Sequence, residues 1–193
     1  NWVIPLTSFR CLEGKLDTTL SYKELLEITV EGIVHQNMEC KTNDELGSFW
    51  RMVQFLNSEG EINEDADFKI KAVSRFRSTL VSETVWTEPR KILYLQKTRI
   101  FMLYKLNAHR NGETSLPEES LRYYLENSKE YLGEQRMTYH VIKKGNQVLD
   151  FEHRDAKGQP TKMSVQQRSY CFDYEKLVEA FDINLEMSRN EDI

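Results

Sequence analysis

The residues with the clearest chemical potential are four consecutive polar side chains, Glu152, His153, Arg154 and Asp155. Carboxylate and imidazole groups can hold a divalent ion, so this run could form a nuclease-like metal site. Adjacent strand residues point to opposite faces, however, so at most two of the four could converge. The alternative is the solvated rim of a hairpin. We favour this alternative and predict no catalytic residue and no metal ligand in the chain.

Other signatures of enzymes are missing from the sequence. The eight glycines include no P-loop pattern, which makes ATP hydrolysis by this segment alone improbable. The four histidines and three cysteines show none of the short spacings that metal sites use. Three scattered cysteines suit a reducing compartment better than a disulfide framework. We therefore predict a cytoplasmic protein without a cofactor.

A second group of chemically useful residues is cationic. The chain has a net charge of -5, but residues 68–110 contain ten Lys or Arg and only two Asp or Glu. A local basic surface can bind a polyanion even when the whole chain is acidic. We predict a nucleic-acid-binding surface made of Arg75, Arg77, Lys97, Arg99, Arg122, Tyr123, Lys129, Lys143, Lys144, Arg154, Lys157 and Lys162. The alternative is that oppositely charged segments of the chain pair with one another.

Two amphipathic patterns near the start of the chain predict helices at 21–38 and 42–60. Ser21 with Glu24, and Thr42 with Glu45, have the spacing of capping boxes. We expect these helices to form an antiparallel pair, with the apolar stripe around Trp50 in a core.

Further along, the periodicity becomes mixed. Alternation from Asp67 predicts a strand, residues 78–90 read as a loop or weak strand, and a short buried strand should follow at Ile92–Leu95. A helix over Lys97–His109 should end at Asn111 and Gly112.

The next segments predict a second helix at 115–133, with Ser115 and Glu118 as its capping signature, and strands at 137–142, 148–151 and 163–172. A final helix should cover Tyr174–Phe181. The chain is thus expected to be α+β, with a helical segment at 1–66 and a winged-helix-like module with an extended β hairpin or meander at 67–193.

The order of elements over 91–172 is the one expected of a winged helix, where the second of two helices enters a groove and a hairpin reaches the backbone. The candidate recognition helix is rich in glutamates, so we expect weak sequence specificity. Tyr123 or Tyr139 could stack on unpaired bases. The alternative is that both tyrosines lie at the edge of a core.

Several segments carry a resemblance to a known family. These are VIPLTSFRCLEGKLDTTLSYKELLEIT, DELGSFWRMVQFLNSEGEI with DADFKIK, SLPEESLRYYLENSKEYLG and SYCFDYEKL. They resemble the C-terminal region of Bacteroidetes mobile-element and phage primase-helicase-like proteins, which have ATPases of the virulence-associated protein E type. The resemblance implies a helical segment after an ATPase core, then a winged-helix-like module that engages DNA. The family's ATP-binding and metal-binding residues have no counterparts in this sequence.

These observations predict a non-catalytic DNA-binding accessory region of a mobile-element or phage replication ATPase. The chain begins without an initiator Met, and we expect it to be part of a longer protein whose upstream ATPase region is a partner. The DNA could be single-stranded or duplex, and we expect no membrane contact. The first alternative is a protein-protein interaction or oligomerisation module of that ATPase. The weakest is a metal-dependent nuclease.

Overall fold

A computed structural model describes residues 3–12, 15, 21–143 and 146–186; the side chains at 3–5 and 35–43 are outside this description. Its helices and strands confirm the α+β class. The helices are α1 (Val3–Leu12), α2 (Tyr22–Ser58), α3 (Lys97–Arg110), α4 (Glu118–Glu126) and α5 (Tyr174–Phe181). The strands are β1 (Phe68–Phe76), β2 (Thr84–Gln96), β3 (Tyr131–His140), β4 (Ile142–Lys143), β5 (Asn146–Gln147), β6 (Leu149–Arg154), β7 (Pro160–Lys162) and β8 (Ser164–Asp173).

The chain divides into two compact units, 1–45 and 46–193, and the division falls within α2. The predicted break between two helices at Thr42 is wrong, because α2 continues through this position. No Gly or Pro interrupts 36–46, and a capping-box spacing without such a breaker is compatible with a helix interior. The predicted boundary at 66/67, between a helical segment and a winged-helix-like module, stays a prediction.

In the first unit, the capping box at the start of α2 is confirmed. The Ser21 amide donates to Glu24 Oε2 at 2.8 Å, and the Glu24 amide donates to Ser21 Oγ at 3.3 Å. These bonds lower the pKa of the Glu24 carboxyl, the backbone bond from Ser21 having the larger effect. The sequence therefore specifies this helix start through local contacts alone.

In the second unit, one face of the sheet packs against helices. The main sheet is antiparallel with strand order β1-β2-β8-β3. Alternate residues of the central strands, including Leu93, Leu95, Tyr170 and Phe172, point to a core that contains the apolar stripe of α2 around Trp50. The predicted stripe is thus buried, and it belongs to the same core as the sheet.

The other face of the sheet is curved around a smaller core of Phe76, Ile92, Tyr94 and Cys171. The two edge strands approach each other, because residues that flank β1 bond to the outer edge of β3. The His140 amide donates to the Asp65 carbonyl at 2.8 Å, and the Thr79 amide donates to the Glu134 carbonyl at 3.2 Å. Backbone groups at both ends of β3, an edge strand of the sheet, therefore have hydrogen-bond partners.

Several element boundaries differ from the expectation. Strand β2 extends back to Thr84 because residues 86–89 form a bulge opposite Ser74, where Pro89 needs no ladder hydrogen bond.

Helix α4 begins at Glu118 after Pro117, without a side-chain cap, so the predicted Ser115 capping signature is wrong. The helix ends at Glu126 rather than 133, and β3 begins at Tyr131 after a turn. Helix α3 and its end at Asn111 and Gly112 are as predicted, as is α5.

The segment between β3 and β8, which we call the hairpin insertion (residues 141–163), forms two small hairpins, β4–β5 and β6–β7. They meet the β3–β8 ladder at a junction of three backbone bonds. The Val141 amide donates to Met163 at 2.9 Å, the Val148 amide to Val141 at 2.9 Å, and the Met163 amide to Val148 at 2.8 Å. The junction fixes where both hairpins leave the sheet.

Candidate nucleic-acid interface

Three of the predicted binding cations are paired with carboxylates. Lys97 Nζ bonds to Glu134 and lies 4.4 Å from the centre of the Tyr170 ring. Arg99 Nε donates to the buried Asp67 at 3.1 Å. A cation that already has a carboxylate partner contributes less potential to a polyanion site. These two residues therefore connect α3 to the rest of the second unit.

Helix α4, the candidate recognition helix, carries the third paired cation. Arg122 Nε donates to Glu126 Oε1 at 2.7 Å, one turn further along. Tyr123 is exposed and meets Tyr124 edge-on, with ring centres 6.0 Å apart, and Lys129 is exposed just beyond the helix. The exposed surface of α4 also carries Glu118 and Glu119, so it lacks a strong positive potential. We therefore keep the expectation that this helix recognises base sequence only weakly.

The cations of the hairpin insertion have a different environment. Lys143, Lys157 and Lys162 are exposed, and none of them pairs with a carboxylate among the residues the structure describes. Arg154 Nη1 donates to the Gly158 carbonyl at 2.8 Å, across the tip of the β6–β7 hairpin. Lys144 lies outside the described residues. The hairpin insertion thus presents lysines that can meet phosphates.

Two carboxylates of the hairpin insertion are engaged in local turns. Asp155 Oδ1 accepts the amides of Lys157 and Gln159 at 2.8 and 2.9 Å. Asp150 accepts the amides of Glu152 and His153, and its other oxygen lies 2.9 Å from His153 Nδ1. The bond to His153 is the main cause that lowers the pKa of the Asp150 carboxyl. Both carboxylates accept backbone amides, and neither forms an ion pair with a lysine among the described residues.

The β3–β8 ribbon adds a feature that the sequence analysis missed. Arg136 and Arg168 are directly opposite each other in the ladder, and both are exposed. Directly opposed like charges destabilise a sheet, and an anion between them would relieve the repulsion. The signal is invisible in the sequence, because the pairing joins two distant strands. Only the register shows that these arginines are neighbours.

Arg75 is the penultimate residue of β1, and Arg77 directly follows the strand. Both are exposed, and neither pairs with a described carboxylate. The Arg77 carbonyl accepts a bond from the side chain of Gln135, the neighbour of Arg136, so the backbone of Arg77 adjoins the β3 edge. The backbone of Arg77 therefore lies next to the strand that carries Arg136, whereas Arg75 lies opposite Val85 on the β1–β2 side.

The prediction that Tyr139 stacks on bases is wrong. Its side chain is 1% exposed, and its hydroxyl lies 2.6 Å from Ser169 Oγ and donates to the Tyr94 carbonyl at 3.2 Å. Burial raises the pKa of Tyr139, so the phenol stays neutral. Tyr139 occupies the inner face of β3, as the alternative interpretation stated.

The residues that could serve chemistry are dispersed. Among the residues described, no group of three His, Cys, Asp or Glu side chains could hold a metal ion. Of the two cysteines whose thiols are described, Cys11 is exposed and Cys171 is buried, and burial raises the pKa of Cys171 to about 12. A buried thiol of this kind packs as a small apolar group.

Comparisons with known protein families, with curated proteins and with solved structures found no match. In the described part of the chain, no helix combines the length and apolarity needed to cross a membrane. We therefore infer the function from the geometry above and from the resemblance of the sequence segments.

Proposed function

We propose that this chain is a non-catalytic DNA-binding accessory region of a replication or mobilisation ATPase. The hairpin insertion is its main contact with DNA. The observation that carries the proposal is the contrast between paired and unpaired cations. Lys97, Arg99 and Arg122 have carboxylate partners, whereas Lys143, Lys157 and Lys162 are exposed without a described one.

Other features support this assignment. The order of β2, α3, α4 and the β3–β8 hairpin is the one expected of a winged helix, in which the hairpin contacts the nucleic-acid backbone. The arginine pair of the ribbon extends the basic surface from the hairpins toward the sheet. Phosphate contacts of this kind give affinity without sequence specificity. The ATPase context rests on the resemblance alone, and the proposed cytoplasmic location rests on the three scattered cysteines.

The triple variant Lys143→Ala, Lys157→Ala, Lys162→Ala tests the proposal. Each lost phosphate contact reduces the slope of log affinity against log salt by about 0.7 to 0.9, so we expect a slope shallower by about 2 to 3. Affinity at low salt should fall for every sequence alike. Fluorescence anisotropy with labelled oligonucleotides at several salt concentrations measures both quantities.

The matched control is Lys105→Ala with Lys176→Ala, which removes exposed lysines from α3 and α5. The control should keep the wild-type slope. Equal slopes for the wild type, the control and the triple variant would contradict the proposed role of the hairpin insertion. So would an absence of binding by the wild type at low salt.

A second candidate function, a protein-protein interaction or oligomerisation module, is favoured by the first half of α2. Leu26, Ile28, Val30 and Val34 are between 36% and 57% exposed there, beside acidic residues such as Glu27 and Glu31. Exposed apolar side chains at helical spacing are typical of helix docking faces.

If this face joins subunits, Val30→Lys should shift the molar mass measured by light scattering from an oligomer to a monomer. The control Ser48→Lys, at an exposed polar position of the same helix, should leave the mass unchanged. A wild-type chain that is monomeric at all accessible concentrations would exclude self-association.

A further inference from the structure

The hairpin insertion exposes an aromatic side chain. Phe151 has 69% of its surface exposed, more than any other large apolar side chain among the described residues. Leu149 and Met163 of the same insertion are 43% and 42% exposed. A single exposed apolar residue needs no explanation, but an exposed aromatic ring on a hairpin that carries exposed lysines and is a proposed DNA contact does.

The backbone around Phe151 is built to present this ring. Leu149 pairs with Lys162 and Asp150 with Thr161, but the next pair is Arg154 with Pro160. Residues 151–153 therefore have no partner on β7 and form a bulge. Bulges re-aim side chains and interrupt pairing, and they are frequent at functional sites.

Specific bonds hold the bulge. The Asp150 carboxylate accepts the amides of Glu152 at 3.0 Å and His153 at 3.3 Å. From the opposite strand, Thr161 Oγ1 donates to the His153 carbonyl at 3.2 Å. The exposed position of Phe151 is thus fixed from both sides of the hairpin.

The ring has charged neighbours of both signs, because Asp150 and Glu152 flank Phe151 in the chain and cations lie further along the hairpin. Lys162 lies opposite Leu149, two positions before Phe151, and Arg154 closes the bulge three positions after it. Lys143 and Lys157 belong to the same insertion. An exposed aromatic ring on a hairpin that also carries exposed cations is a combination that binds a strand with accessible base faces, because the ring stacks and the cations meet phosphates.

We infer that Phe151 stacks on an unpaired base, and that the hairpin insertion therefore prefers single-stranded nucleic acid. This inference rests on the proposed function, which leaves open whether the DNA is single-stranded or duplex. A phenyl ring has no group that can hydrogen-bond to base edges in a duplex groove, and base faces in a duplex are covered by their neighbours. The exposed large apolar side chains of the insertion are three, Phe151, Leu149 and Met163, among the described residues, whereas a stable protein interface requires about 20 to 30 residues on each side.

Binding of a labelled oligonucleotide of roughly 20 thymidines and of a duplex of the same length tests the inference, by anisotropy at low salt. Phe151→Ala should weaken single-strand binding about 5- to 100-fold and leave duplex binding within about twofold. Phe151→Leu, which keeps an apolar side chain without a ring, should behave like Phe151→Ala. Phe151→Trp should restore affinity, and stacking should quench its added fluorescence.

Leu80→Ala is the control, because Leu80 is 67% exposed but lies outside the hairpin insertion. It should bind like the wild type. The salt slope of Phe151→Ala should also stay at the wild-type value, since the phosphate contacts remain.

The outcomes separate the inference from the proposed function. If the wild type binds neither oligonucleotide, both fail. If the wild type binds but Phe151→Ala lowers both affinities equally or neither, the stacking inference is overturned and the proposed function stands. Full affinity of Phe151→Leu would also overturn it. So would self-association of the wild type that Phe151→Ala abolishes, which would mark the ring as a protein contact.

Discussion

Trp50→Ala is expected to lower the free energy of unfolding of the second unit by about 3 to 5 kcal/mol. The Trp50 side chain is fully buried, and its ring meets Phe49 and Phe172 edge-on, with centres 5.0 and 5.1 Å apart. It therefore joins α2 to the central strand β8. Truncation removes these contacts and leaves a cavity that the aromatic neighbours cannot fill without moving.

Equilibrium unfolding in urea, followed by circular dichroism, measures this change without relying on tryptophan fluorescence. Phe55→Ala is the control, because Phe55 lies on the same helix and is 48% exposed. Its effect should stay below about 1 kcal/mol. A loss below about 1 kcal/mol for Trp50→Ala would show that the cohesion of this core does not depend on the tryptophan.

Gly133→Ala should destabilise the second unit by about 2 to 5 kcal/mol, from backbone strain together with overlap. Gly133 has a φ of +108°, which side-chain-bearing residues rarely adopt. A β-carbon there would overlap Ser78 Oγ and lie 3.1 Å from the Leu80 backbone nitrogen. The close approach exists because the residues after β1 bond to the outer edge of β3 at this point.

Gly158→Ala separates the two causes. Gly158 has a φ of +76°, but a β-carbon there would meet no atom within 4 Å. It should cost only about 1 kcal/mol, the ordinary penalty for leaving glycine in the left-handed region. Similar midpoints of urea unfolding for the two variants would contradict the proposed overlap at Gly133.

The sequence predicts best what depends on contacts close along the chain. The bonds of Ser21 with Glu24 and the apolar stripe around Trp50 are visible in the sequence because they follow from spacing within one helix. The missing break at Thr42 shows the limit of such signals, since the same spacing occurs inside a continuous helix.

The site is harder to predict because its character depends on distant pairings. Composition alone treats Arg99 and Lys162 alike, yet one is paired with Asp67 across the fold and the other has no described carboxylate partner. The opposition of Arg136 and Arg168 follows from strand register, which a sequence read alone does not fix. The exposure of Phe151 depends on a bulge set by the opposite strand β7.

The three-bond junction at Val141, Val148 and Met163 has a consequence for engineering and for divergence of this protein. The register of β3 with β8 is set by hydrogen bonds on the sheet side of the junction. The β4–β5 and β6–β7 hairpins can therefore be shortened, lengthened or exchanged without changing that register. The scaffold therefore allows new tips to be grafted while the supporting sheet keeps its shape.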